Sequence, residues 1–166
     1  AALALTAAPA QPESHRIEAR AKQTAANTDG PQIMVSAGHL YGVDSVSYSP
    51  DGRYIASGSK DDTVKIWEAA SGRCLKTFEE HSGSVNSVSY SPDGKYLASG
   101  SSDNTAKIWD VASGRCLKKL EGHSWDVNSV SYSPDGKYLA SGYNDKTVKI
   151  WDVASGKDIA VLNGRE

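Results

Sequence analysis

One phrase is written three times in this chain. Ser-Tyr-Ser-Pro-Asp-Gly stands at Ser47–Gly52, Ser89–Gly94 and Ser131–Gly136, each copy 42 residues after the last. Lys-Ile-Trp keeps the same step and ends in Trp67, Trp109 and Trp151. A fixed period of this size means one supersecondary unit stacked on copies of itself, because a single unit cannot bury its apolar face alone. Stacked repeats offer surfaces more often than chemistry.

The middle copy reads as four short strands. Val88 and Tyr90 alternate with polar neighbours, as in a half-buried strand. Val85 is out of phase by one residue, which predicts a β-bulge at Asn86-Ser87. Ser91-Pro92-Asp93-Gly94 is a tight turn, with proline presetting φ and glycine closing it. Strands are then expected over Lys95–Ser101, Thr105–Trp109 and Cys116–Leu120, joined by turns at Ser102-Asp103-Asn104 and Ala112-Ser113-Gly114. One such antiparallel sheet is barely stable alone and must pack on its neighbours.

The motif positions carry a resemblance. Gly38-His39 and Gly122-His123 precede copies, and Trp109-Asp110 and Trp151-Asp152 close them. The first copy has Trp67-Glu68, and the second has Glu80-His81 where glycine is expected. Over Gln32–Gly164 the chain resembles the WD40-repeat family of β-propellers. The resemblance implies an all-β fold of three complete four-stranded blades, about 43–79, 85–121 and 127–163, with a leading outer strand at Gln32–Ala37, together forming an incomplete ring.

Each repeat also holds His, Ser, Asp and Trp in fixed order: His39, Ser57, Asp61, Trp67; His81, Ser99, Asp103, Trp109; His123, Ser141, Asp145, Trp151. Ser, His and Asp are the ingredients of a nucleophilic triad. Three equivalent copies argue against one activated serine in one cleft. The resemblance implies instead a buried structural tetrad, in which each polar group finds a partner. The sequence offers no catalytic residue, no cofactor motif and no metal-ligand spacing; the three histidines fall in separate sheets.

The copies differ in two places. After the histidine stand Leu40-Tyr41-Gly42, Ser82-Gly83-Ser84 and Ser124-Trp125-Asp126. Between the second and third strands stand Lys60-Asp61-Asp62, Ser102-Asp103-Asn104 and Asn144-Asp145-Lys146. In an up-and-down sheet alternate connections emerge at one end, so both varied loops share a face. A scaffold repeats its structural positions and individualises the surface that reads a partner. Tyr41, Trp125 and Tyr143 fall in or beside that face, as aromatic anchors do; Asp126 neighbours them. The resemblance further implies that Asp44, Asn86 and Asn128 at the bulge, with Lys60, Ser102 and Asn144, surround the central channel on the same side.

Composition bounds the partners. The net charge is −2 with 39% hydrophobic residues, so there is no electrostatic case for nucleic acid, and no apolar run is long enough to span a membrane. Cys74 and Cys116 are equivalent positions on successive units, too distant for a disulfide, and are expected as free thiols. Residues 1–31 lack a core-forming pattern and read as an Ala/Pro-rich tail. Its Ala8-Pro9-Ala10 resembles the end of a secretory signal, favouring a periplasmic or secreted chain; a linker in a cytoplasmic protein is the alternative, which the thiols support.

Three blades fall short of the roughly four to eight of closed propellers. Further repeats after Glu166, or other copies of the chain, are expected to complete the ring; Arg165 stands where a next histidine would be. The functional expectation is a non-catalytic scaffold for a protein or peptide partner. The alternatives are a module of a larger bacterial kinase or caspase-like peptidase, and a peptide or small-ligand receptor at the channel mouth.

Overall fold

The computed structural model describes residues 38–122 and 124–163. The tail, the leading strand expected at Gln32–Ala37, His123 and Arg165 lie outside the described residues. Among the described residues, twelve strands form three antiparallel sheets in sequence order. The first holds β1 (Val43–Tyr48), β2 (Tyr54–Ser59), β3 (Val64–Glu68) and β4 (Cys74–Phe78). The second holds β5 (Val85–Tyr90), β6 (Tyr96–Ser101), β7 (Ala106–Asp110) and β8 (Cys116–Leu120). The third holds β9 (Val127–Tyr132), β10 (Tyr138–Tyr143), β11 (Thr147–Asp152) and β12 (Asp158–Asn163).

The predicted bulge is present in the middle sheet, where Val85 pairs with Ser101 but Ser87 pairs with Gly100, leaving Asn86 as the extra residue. It recurs between Val43 and Ser45 and opposite Gly142 and Tyr143. Two middle strands begin one residue later than the sequence pattern suggests. The Lys95 N–H is held by the Asp93 carboxylate, and the Thr105 N–H and hydroxyl by Asp103, so each residue completes its turn before pairing starts.

The sheets pack face to face in sequence, and the core lies between them. One core joins Ala56, Val64, Ile66 and Phe78 of the first sheet to Val85, Val88, Tyr90, Leu97 and Trp109 of the second. Phe78 stacks on Trp109, ring centroids 5.1 Å apart and 9° from parallel. The next repeats the recipe, with Ala98, Ala106, Ile108 and Leu120 meeting Val127, Val130, Leu139 and Trp151. Gly58 and Gly100 let the following first strand approach: a Cβ there would meet Val85 Cγ1 at 2.7 Å and Val127 Cγ1 at 2.6 Å.

Serine side chains stitch the first strands together. The Val88 and Tyr90 N–H groups donate to Ser45 and Ser47 Oγ at 3.1 and 3.3 Å. Those of Val130 and Tyr132 donate to Ser87 and Ser89 Oγ at 3.1 and 3.4 Å. The repeated Ser-Val-Ser-Tyr therefore serves both faces of a sheet. Cys74 and Cys116 open β4 and β8, and no disulfide joins them.

Candidate interaction face

The tetrad positions come together in the first two sheets. Trp109 Nε1–H donates to Ser99 Oγ at 2.8 Å, Ser99 Oγ lies 2.7 Å from His81 Nε2, and His81 Nδ1 lies 2.7 Å from Asp103 Oδ2. The first sheet repeats this with Trp67 to Ser57 at 2.7 Å, Ser57 to His39 at 2.6 Å and His39 to Asp61 at 2.9 Å. With the Nδ1–H given to the carboxylate, Nε2 is an acceptor, so the serine donates to histidine and accepts from the indole. Serine, histidine and aspartate thus stand in triad order. The oxygen a nucleophile would use is instead occupied on both sides, and Ser99 is 0% exposed. This is an internal polar chain that ties the loop after the histidine to the sheet.

A fifth member was not singled out in the sequence. Thr63 and Thr105 each donate a hydroxyl hydrogen bond to their aspartate at 2.6 Å, and Thr147 does so to Asp145 at 2.5 Å. The spacing Asp-x-Thr, present in all three copies, is the signal that could have found it. Burial pushes Asp61 upward, but hydrogen bonds from Thr63, the Leu40 N–H and His39 outweigh that and hold it down to about 2. Asp103 is likewise pushed up by burial and drawn well below the usual carboxylate range, chiefly by His81 and Thr105.

The third sheet differs. Trp151 Nε1–H still donates to Ser141 Oγ at 2.7 Å, but Tyr143 Oη lies 2.5 Å from the same oxygen. Tyr143 was expected as an exposed anchor; it is 7% exposed and part of the second core. The reason is strand parity. Tyr143 is two residues beyond Ser141 on β10 and shares its inward face, where the earlier copies carry Ser59 and Ser101. Burial raises its phenol to about 12.

The remaining candidates stand at one end of the sheets. The Lys60 N–H donates to the Gly42 carbonyl at 2.9 Å, Ser102 N–H to Ser84 at 2.9 Å and Asn144 N–H to Asp126 at 3.3 Å, so the two varied loops are joined in every blade. The uniform turns are joined to each other likewise, through Ala69 to Arg53, Val111 to Lys95 and Val153 to Lys137. Tyr41 is 68% exposed and Trp125 57%, with Leu40 exposed beside Tyr41; Asp126 is half-buried.

The bulge residue and the residue before the tetrad aspartate pair within each blade, with different chemistry each time. Asp44 and Lys60 form an ion pair at 3.9 Å. Asn86 Nδ2 donates to Ser102 Oγ at 3.0 Å and also to the Val127 carbonyl of the next sheet at 3.1 Å. Asn128 Nδ2 donates to Asn144 Oδ1 at 2.5 Å. One row of positions thus presents charge, amide–hydroxyl and amide–amide in turn.

Known proteins share this arrangement. Residues 30–68, 72–110 and 114–152 match the family described as WD domain, G-beta repeat. The chain belongs to the WD40 repeat family. Its 51-residue match to the Periodic tryptophan protein 2 homolog of Dictyostelium discoideum is 51% identical and covers 31% of this chain and 6% of that protein. A 48-residue match to the Ribosome biogenesis protein BOP1 homolog of Drosophila melanogaster is 56% identical and covers 29% and 6%. The solved structure of U3-55K superposes with a TM-score of 0.75 at 31% identity, over 79% of this chain and 42% of that one. The RRP9 WD40 repeats give 0.74 at 31% identity, over 78% and 41%. This WD40 chain therefore spans a small part of those curated relatives and under half of either solved structure. The named relatives are eukaryotic, which lends the bacterial-enzyme expectation no support. Among the described residues no helix is long and apolar enough to cross a membrane.

Proposed function

We propose that this chain is a protein-binding scaffold without chemistry of its own, and that it reads its partner with the end carrying the two varied loops. The observation that carries the reading is the placement of Trp125 and Tyr41. Both are exposed aromatics at one end, where the middle repeat has only Gly83. Large rigid aromatics on a fixed scaffold are the residues that dominate binding energy when a partner buries them. Polar pairs around them, from Asp44–Lys60 to Asn128–Asn144, supply a rim that differs from blade to blade.

The names of the matched relatives favour intracellular assembly work for the partner class: one is a ribosome biogenesis protein. The periplasmic reading rests on residues 8–10 alone and is not carried forward. Comparing proteins captured by wild type and by Tyr41→Ala/Trp125→Ala tests the face. The double variant is expected to fold normally and lose specific partners; identical capture by both would end the proposal. Hydrolase assays of wild type and Ser99→Ala are expected to show no activity in either.

A further inference from the structure

The end with the uniform turns carries two grooves built from the same residues. The first lies between the last three strands of the first sheet and the turns of the second, with a volume of about 580 Å³. Tyr54, Ile66 and Leu75 line it from one side, Lys95 and Val111 from the other. The second lies one repeat on, at about 510 Å³, with Tyr96, Ile108, Leu117, Lys137 and Val153 in the same places.

The leucines are not needed to hold the sheets together. They stand on β4 and β8, the edge strands of their sheets, and are 39% and 49% exposed. Each is the extra residue of a β-bulge. Ile66 pairs with Lys76 and Trp67 with Cys74, which leaves Leu75 over, and Leu117 is left over between Cys116 and Lys118 in the same way. A bulge re-aims the side chain it adds, and here both leucines line the groove beside them. The third copy has exposed Ile159 at this position. Two residues on, by contrast, the exposed residues are Thr77, Lys119 and Val161. An aliphatic side chain is thus kept at a place that water reaches.

Cations rim the apolar lining. Lys76 reaches across the first groove and donates from Nζ to the Val111 carbonyl at 2.6 Å and to that of Ala112. Lys95 is exposed on the opposite wall. The groove's carboxylate, Asp110, accepts from the Ser113 N–H and hydroxyl, both at 2.6 Å, and so closes its own turn. Lys118, Lys137 and Asp152 repeat the set in the second groove.

We propose that the twin grooves bind a protein segment that carries one short motif twice, a large aliphatic side chain flanked by acidic residues. The aliphatic group packs on Leu75, Ile66 and Tyr54, and the carboxylates complement Lys76 and Lys95. Two identical sites at a fixed separation favour two identical motifs, because the second binds at high effective concentration once the first is seated. This surface lies at the end away from Tyr41 and Trp125 and does not rest on them.

Fluorescence anisotropy with the full chain and labelled peptides tests this. The probe is Asp-Glu-Leu-Leu-Asp-Glu, alone or twice on a Gly/Ser linker of about 20 residues that spans roughly 25 Å. The double peptide is expected to bind at least about tenfold tighter than the single one. Leu75→Ser and Leu117→Ser should each bring it down to single-peptide affinity, and together abolish binding. Lys95→Glu with Lys137→Glu should weaken both peptides, and decides the matter if thermal unfolding shows a leucine variant to be unfolded. A probe with lysine for each acidic residue should not bind. Tyr41→Ala/Trp125→Ala should bind both peptides as wild type does, which separates this site from the varied end. The proposal is overturned by a double peptide that fails to bind or binds no tighter than the single one. Equal binding of the lysine probe, or binding that survives the groove substitutions in folded variants, overturns it too.

Discussion

The second blade and its two neighbours are nearly the same sequence in different surroundings. Trp109 is 1% exposed, while Trp67 at the same repeat position is only half-buried. Lys107 is buried among sheet neighbours and donates to the Glu80 carbonyl; Lys149, its counterpart, donates to the Gly122 carbonyl from a more open site. Burial in a stacked fold is a property of having a sheet on each side. The local sequence only makes that burial favourable.

The largest consequence is expected at the tryptophans. Trp109→Ala should cost about 3–5 kcal/mol, since it removes a stacked, fully buried ring. Trp67→Ala should cost clearly less in the single chain; equal losses in urea titrations would erase the contrast between the blades. Gly100→Ala is next, at about 1–3 kcal/mol, because its Cβ would press on Val127 Cγ1 at 2.6 Å. Gly142→Ala should stay within about 0.5 kcal/mol, because a Cβ there meets nothing closer than Ser129 Cβ at 3.9 Å; a loss equal to that of Gly100→Ala in the same titrations would remove the distinction.

Ser99→Ala should cost about 1–3 kcal/mol, because it strands the indole N–H of Trp109 and one histidine nitrogen in a buried site.

The aspartates give a pH signature. Asp61 is held at about 2 against an ordinary 3.8, so its contribution is full above the ordinary value and is lost as pH falls from there through about 2. Thr63→Ala removes a donor to that carboxylate and should move the acid transition to higher pH. An unchanged acid midpoint, followed by tryptophan fluorescence, would remove Thr63 from the network. The smallest effect is expected at the varied end: Tyr41→Ala/Trp125→Ala should change stability by less than about 0.5 kcal/mol, in contrast to its effect on capture.

Much of the architecture was legible because it is written three times. The bulge at Asn86 follows from Val85 falling out of step, while the tetrad was what the family resemblance implied for the His, Ser, Asp and Trp that recur in register. Tyr143 was misplaced because loop proximity was weighed over strand parity; it ends β10 on the Ser141 face and turns inward. The threonine hydroxyls were passed over because Asp-x-Thr looks like ordinary turn chemistry until the aspartate is seen to hold a histidine as well.

The sequence alone determined the period, the strands and the contrast between uniform turns and varied loops, since each depends on neighbours a few residues away and is repeated in phase. Only the tertiary structure decided which copies are buried and which polar rim residues pair with each other. Those properties depend on what stands across the gap from a sheet, and residues 42 apart with the same letters meet different neighbours there.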